Sequence, residues 1–259
     1  MSMEELVHQE VKNQIAWVTL QRPNKLNALS KELVDQLYDQ LVIAEENPEV
    51  KVIVIKGSGK SFCAGGDIES MSQIESTVDA AKWIDSVSQL TTTIRTIKKY
   101  VVAAVNGYAA GAGFSLALAC DFIVADRDAK FAISFTNIGL IPDLGLMKSL
   151  SSRISMPLLK EWVSKGAIIS AKDAQNYSVI NKVVDELDEG VEQFVSFIIH
   201  GPSVANRYVK EIINSLYEQS FEEVREKENV TQALLLQTTD HEEGVQAFIE
   251  KRSPKFKGR

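Results

Sequence analysis

Three short stretches of this sequence hold residues fit for chemistry. The first is Gly111-Ala112-Gly113, inside the run Val101 to Asp121, where a strand turns at Asn106-Gly107 and continues as an apolar helix through Phe114, Leu116, Ala117 and Leu118. The second is Ala64-Gly65-Gly66, again leading into a helix. A strand that ends in glycines and opens directly into a helix leaves unpaired N–H groups and the positive end of the helix dipole facing outward. Two such turns could place two N–H groups around one oxygen that gathers negative charge. The bland alternative is that the small residues only let a helix pack closely on a sheet. A dinucleotide fingerprint would need a third glycine at 116, which is Leu116, and a nucleophile elbow around Ser115 finds Gly113 but Ala117. The third stretch is Ile138 to Gly145, a proline-broken loop in which Asp143 sits among apolar neighbours. Burial there should raise the carboxyl pKa, which suits proton transfer near neutral pH.

The elements that must position these residues alternate between strand and helix. Gln14–Leu20 and Lys51–Lys56 read as strands, with Ser30 capping a helix through Leu33, Val34, Leu37, Tyr38 and Leu41. Residues 75–99 read as helix, Phe122–Ala125 and Lys130–Ile133 as short strands, and Ser170 caps a helix before a strand over Val179–Val184. From Ser203 the pattern is amphipathic helix: Val204–Leu216, Phe221 to about Leu236, and Asp240–Arg252 with Asp240 and Glu243 at capping-box spacing. The sequence thus divides into an α/β body, 1–200, and a helical end, 201–259.

A chain of 259 residues with 45% apolar residues can bury one sizeable core. Its net charge of -7 argues against nucleic acid or an anionic membrane surface as partner. No apolar run reaches the ~18 residues of a membrane span, and Met1 to Glu5 does not open as a signal peptide, so a soluble cytoplasmic protein is expected. Two cysteines and three histidines form no ligand motif, so neither disulfide nor metal is expected.

These residues together resemble the crotonase (enoyl-CoA hydratase/isomerase) superfamily over nearly the whole chain. The matching segments are RPNKLNALS at 22–30, SFCAGGDI at 61–68, AAVNGYAAGAG at 103–113, IGLIPD at 138–143 and FIEKRSPKF at 248–256. The resemblance implies a spiral of ββα units with a C-terminal helical trimerisation region, assembled as a homotrimer or dimer of trimers. It implies an acyl-CoA thioester as substrate, with coenzyme A arriving as part of that substrate and no separate cofactor. It places the oxyanion-hole donors at the N–H groups of Gly66 and Ala112, and CoA contacts at Lys25, Leu26, Ala28 and Ala64. Asp67 and Ile68 fall beside the thioester, although Asp67 reads more readily as a helix-starting acid with no chemistry. Lys255 and Phe256 are expected to close over the CoA of the same or an adjacent subunit.

The departures from the family pattern decide the expected reaction. Family hydratases carry glutamates where this chain has Ser115 and Phe135, and neither can move a proton to or from carbon. Ser115 is expected to be a small residue on the pocket wall. Asp143 remains as a lone acid, resembling the base of certain enoyl-CoA and ring-epoxide isomerases in fatty acid and phenylacetyl-CoA metabolism. One carboxylate suffices to shift a double bond, so isomerisation is expected. The alternatives are hydration, with Asp143 alone activating water, or an acyl-CoA-binding homologue without chemistry. For Asp143 itself the alternative is a cap on the helix beginning near Leu144.

Overall fold

A computed structural model describes residues 4–72 and 74–259. Strands β1 (Val7–Lys12) and β2 (Ile15–Leu20) form a hairpin, and helix α1 (Lys31–Glu46) follows, capped by the Ser30 side chain on the Leu33 N–H. The next three strand pairs repeat one plan. Strands β3 (Val52–Gly57) and β4 (Ser61–Cys63) lead to helices α2 (Ile68–Ser72) and α3 (Thr77–Thr96). Strands β5 (Tyr100–Val105) and β6 (Tyr108–Ala110) lead to α4 (Ala112–Ala119), and β7 (Phe122–Asp126) and β8 (Lys130–Ala132) lead to α5 (Leu146–Ser151). In each pair the first strand joins a six-stranded sheet and the second a four-stranded one. The ββα repeat is therefore a winding of the chain across two sheets.

The chain continues through α6 (Met156–Lys165), β9 (Ile168–Ser170), α7 (Ala171–Asn176) and β10 (Lys182–Val184). The order of the larger sheet is β1-β2-β3-β5-β7-β10, parallel apart from the β1 edge; the smaller sheet runs β4-β6-β8-β9, with β9 antiparallel. Two further helices, α8 (Leu187–Phe194) and α9 (Ser196–Ile199), follow, and like α6 they are not read from the sequence. Val191 and Ile198 of these helices, with Val195 between them, cover one face of the large sheet, at Ile15, Trp17, Val52, Val54, Val102 and Val124. The other face, Ala16, Val18, Ile53, Ile55, Val101 and Ala103, packs in the main core with α1, α3 and α4. Burial on both faces explains why β3 and β5 read as continuous apolar runs rather than alternating ones.

Helices α10 (Ser203–Ser215), α11 (Phe221–Leu235) and α12 (Thr239–Glu250) complete the chain. Lys210 of α10 reaches the body, where its Nζ donates to the carbonyls of Ile94 and Lys99, each at 2.9 Å, and pairs with Asp121 at 2.8 Å. Three expectations are corrected here. Asp240 and Glu243 form no capping box: Thr238 caps α12, while Asp240 accepts from the N–H groups of Lys257 and Gly258 and Glu243 pairs with Arg252. The strand expected over Val179–Val184 is confined to Lys182–Val184, because Val179 and Ile180 are buried after the α7 turn. Helix α5 starts at Leu146, not Leu144, and no side chain caps it.

Candidate functional site

The two small-residue turns meet. Gly65 has φ +107°, and a Cβ there would lie 2.9 Å from the Ala110 carbonyl oxygen, so only glycine lets the β4 turn approach the β6 turn this closely. At Gly113 a Cβ would collide with the Cys63 carbonyl, which fixes the start of α4 against the end of β4. A short parallel bridge holds the first turn from its other side. The Leu29 N–H donates to the Gly65 carbonyl at 2.8 Å and the Asp67 N–H to the Leu29 carbonyl at 3.1 Å. Between those bonds the Gly66 N–H is left over. Ala112, the first residue of α4, likewise donates its N–H to no other described residue. Two uncommitted amides, one at a helix N-terminus, therefore border the same space.

That space is a cavity of about 910 Å³, lined by Ala64, Gly66 and Ala112, by Ile68 and Met71 of α2, by one side of α3, and by the segment 134–144. Asp143 is the one ionisable residue among the described residues of the lining. Burial pushes its carboxyl above the ordinary aspartate value, opposed only by its own backbone N–H. Its Oδ1 is buried with no hydrogen-bond partner. The following residues make a sharp turn, with Leu144 at φ +52° and Gly145 at φ +81°. A left-handed leucine is an uncommon, costly conformation, and here it directly follows the acid. The reading of Asp143 as a helix cap fails, since its side chain bonds no helical N–H.

The family model described as enoyl-CoA hydratase/isomerase matches residues 10–259. The chain belongs to that family. The chain is 36% identical to an enoyl-CoA hydratase, mitochondrial, of Pongo abelii, covering 95% of this chain and 84% of that one. It is 32% identical to a 1,2-epoxyphenylacetyl-CoA isomerase of Escherichia coli (strain K12), over 99% of this chain and 100% of the other. An enoyl-CoA hydratase structure from Polaromonas sp. JS666 superposes with a TM-score of 0.93 at 33% identity, covering 96% of this chain and 99% of that one. The crotonase fold expected from the sequence is thus the fold of this family member.

The remaining residues singled out in the sequence fall in several places. Ser115 is not on the cavity wall. It is 1% exposed, behind the wall, with its Oγ donating to the Asp143 carbonyl at 3.1 Å and near the Gly111 carbonyl at 3.4 Å. Phe135 does line the cavity. Asp67 is buried and does not line it: its carboxylate starts α2, accepting from the Glu69 N–H at 3.1 Å, and pairs with Arg22 at 2.6 Å. Burial alone would raise the Asp67 carboxyl, but the Arg22 hydrogen bond and charge, together with the N–H groups of Ser70 and Glu69, hold the group below its ordinary value. Lys25 lies on a 3₁₀ turn, Pro23–Lys25, and pairs with Glu69 at 2.7 Å. Leu26 follows it, half exposed, and its carbonyl accepts from the Ala64 N–H at 2.9 Å, while Ala28 donates to the Lys25 carbonyl at 3.0 Å. Phe256 packs near Gly244 in a second cavity of about 420 Å³ that shares no described lining residue with the first, and the Lys255 N–H is held by Glu243. Within one chain the tail is not brought to the site.

Two supporting residues escaped the sequence reading. Asn27 is fully buried, accepts from the Arg22 N–H and donates to the carbonyls of Ser58 and Ser61 at 2.9 and 2.7 Å. Arg22 bonds both the Ala28 carbonyl and Asp67. Together they strap the 22–29 loop to the turn that carries Gly66. Polar loop residues ordinarily stay solvated, so nothing in their spacing distinguished them.

Proposed function

We propose that the protein shifts the double bond of an enoyl-CoA from the 3- to the 2-position. The thioester oxygen sits between the N–H groups of Gly66 and Ala112, which stabilise the enolate as it forms. Asp143 removes the α-proton and returns it at the γ carbon, with no net addition of water. The observation that carries this reading is the count of proton carriers: Asp143 is the lone ionisable group among the described residues of the cavity, and its Oδ1 has no competing partner. A single carboxylate completes an allylic proton shift, whereas addition of water ordinarily uses two groups.

Lys25, Leu26, Ala28 and Ala64 are the CoA contacts in this reading, with Ile68 beside the thioester. The C-terminal helices expose Ile213, Leu216, Leu234, Val245, Phe248 and Ile249, Phe248 at 85%. So much apolar surface in one region supports assembly with further copies of the chain as a trimer or dimer of trimers. Lys255 and Phe256 would then reach the CoA of a neighbouring subunit. Sedimentation at micromolar concentration should give a trimer or larger, and a monomer would refute the assembly.

Hydration by a water activated at Asp143 is the second reading, favoured by the 36% identity to a hydratase. Initial rates on 3-hexenoyl-CoA and crotonyl-CoA separate the two. Faster isomerisation of the former is expected; faster hydration of the latter would overturn the isomerase.

A further inference from the structure

Helix α3 carries Ala80, Trp83, Ile84, Val87, Leu90 and Ile94 at three- and four-residue spacing, one continuous stripe. Its second half is ordinary core, with Leu90 and Ile94 buried. Its first half meets open space: Ala80, Trp83, Ile84 and Val87 line the 910 Å³ cavity together with Met71 and Ile74. Ile84 stays 46% exposed, with no protein side chain covering it fully. A helix face patterned for burial but left facing a cavity is a surface that a ligand can cover. At ~30 Å³ per water-sized group, a four-carbon acyl chain would occupy on the order of 120 Å³, a small part of a cavity that it shares with the thioester and the end of the CoA arm. No lysine, arginine or histidine is found among the described lining residues, and Asp143 contributes the opposite charge.

We infer that the acyl site takes a neutral, apolar acyl chain of about eight carbons or more, whose tail covers Ala80, Trp83, Ile84 and Val87, and that it rejects acyl groups ending in a carboxylate. This rests on the reading of Gly66 and Ala112 as thioester donors, which fixes where the chain begins. A terminal carboxylate brought onto this apolar stripe would lose water and meet no cation among the described lining residues. Each methylene laid on the stripe, by contrast, is worth about fourfold in affinity, the equivalent of ~0.8 kcal/mol per buried CH₂.

The test is calorimetric titration with butyryl-, octanoyl- and adipyl-CoA, all saturated, so that binding is read without double-bond chemistry. Octanoyl-CoA should bind at least ~50-fold more tightly than butyryl-CoA, four methylenes at about fourfold each with allowance for incomplete burial. Adipyl-CoA should bind no more tightly than butyryl-CoA. Equal affinity for octanoyl- and butyryl-CoA, or adipyl-CoA binding as well as octanoyl-CoA, overturns this inference and leaves the thioester site standing. Failure of all three to bind overturns the thioester site and the inference with it. Ile84→Lys, at a half-exposed position that tolerates a polar side chain, should raise the adipyl-to-octanoyl affinity ratio at least ~10-fold by supplying the missing cation. A ratio unchanged in that variant contradicts the placement of the tail along α3.

Discussion

Asp121 and Asp143 are two aspartates in surroundings that push both carboxyls above their ordinary value, and they are treated in opposite ways. Asp121 lies at the end of α4 with its carboxylate satisfied by Lys210 at 2.8 Å and by the Val101 N–H at 2.7 Å, and Lys210 spends its remaining donors on two carbonyls. Asp143 has a buried oxygen with no partner, on the wall of the main cavity. A buried charge that is fully bonded joins elements; one left unpartnered costs stability and keeps its lone pairs free for a proton. The pKa direction alone does not separate the two. The partners do.

The largest effect should come from breaking the satisfied site. Lys210→Ala leaves the Asp121 charge buried without a counter-ion and should lower unfolding free energy by ~3–5 kcal/mol in urea titration. A loss under ~1 kcal/mol would mean that water reaches Asp121 and that the two aspartates are not so different. The double replacement Asp121→Leu with Lys210→Met removes both charges and should recover most of the loss, which sharpens the comparison.

Much of this arrangement was legible in the sequence, and the gaps have physical causes. The long elements α1, α3, β3 and β5 announce themselves by caps and apolar period, because their burial pattern is local. The meeting of Gly65–Gly66 with Gly111–Ala112 was legible too, since small residues at a strand-to-helix turn have few other uses. The second sheet was not. Strands β4, β6 and β9 have three residues each, too short for alternation to register, and they exist through pairing across the chain. Helices α8 and α9 are broken at Val195, which splits their stripe between two short segments. Asp240 shows the limit of motif spacing: its distance from Glu243 suits a capping box, but the returning tail offers the N–H groups of Lys257 and Gly258, and those bonds win. Ser115 reads from the sequence as a wall residue because spacing cannot tell the lining of a cavity from the layer behind it.

That layer gives a smaller effect on the functional side. Ser115→Ala removes the hydroxyl that holds the Asp143 carbonyl, a bond worth ~1 kcal/mol, so kcat should fall roughly fivefold with KM changed less than about twofold. An unchanged kcat would show that the turn at Leu144 and Gly145 orients Asp143 without help. The smallest effect is on stability. With its folded pKa raised, ionised Asp143 disfavours the native state above that pKa, and the cost fades as pH falls toward the ordinary value of ~3.9, below which both states are protonated. Asp143→Asn should therefore match or exceed the parent by up to ~1 kcal/mol at pH 7, with the difference shrinking as pH falls and gone below about pH 4. A clear loss of stability at pH 7 would mean that the carboxylate is bonded in solution, as Asp121 is.

The kinetics of that same variant test most directly whether Asp143, whose Oδ1 has no partner, carries the proton. Asparagine keeps the size and polarity of Asp143 but cannot take a proton at neutral pH. Isomerisation of 3-hexenoyl-CoA by Asp143→Asn should fall at least ~100-fold in kcat, with thioester binding retained through Gly66 and Ala112. Isomerisation at the parent rate would contradict the account.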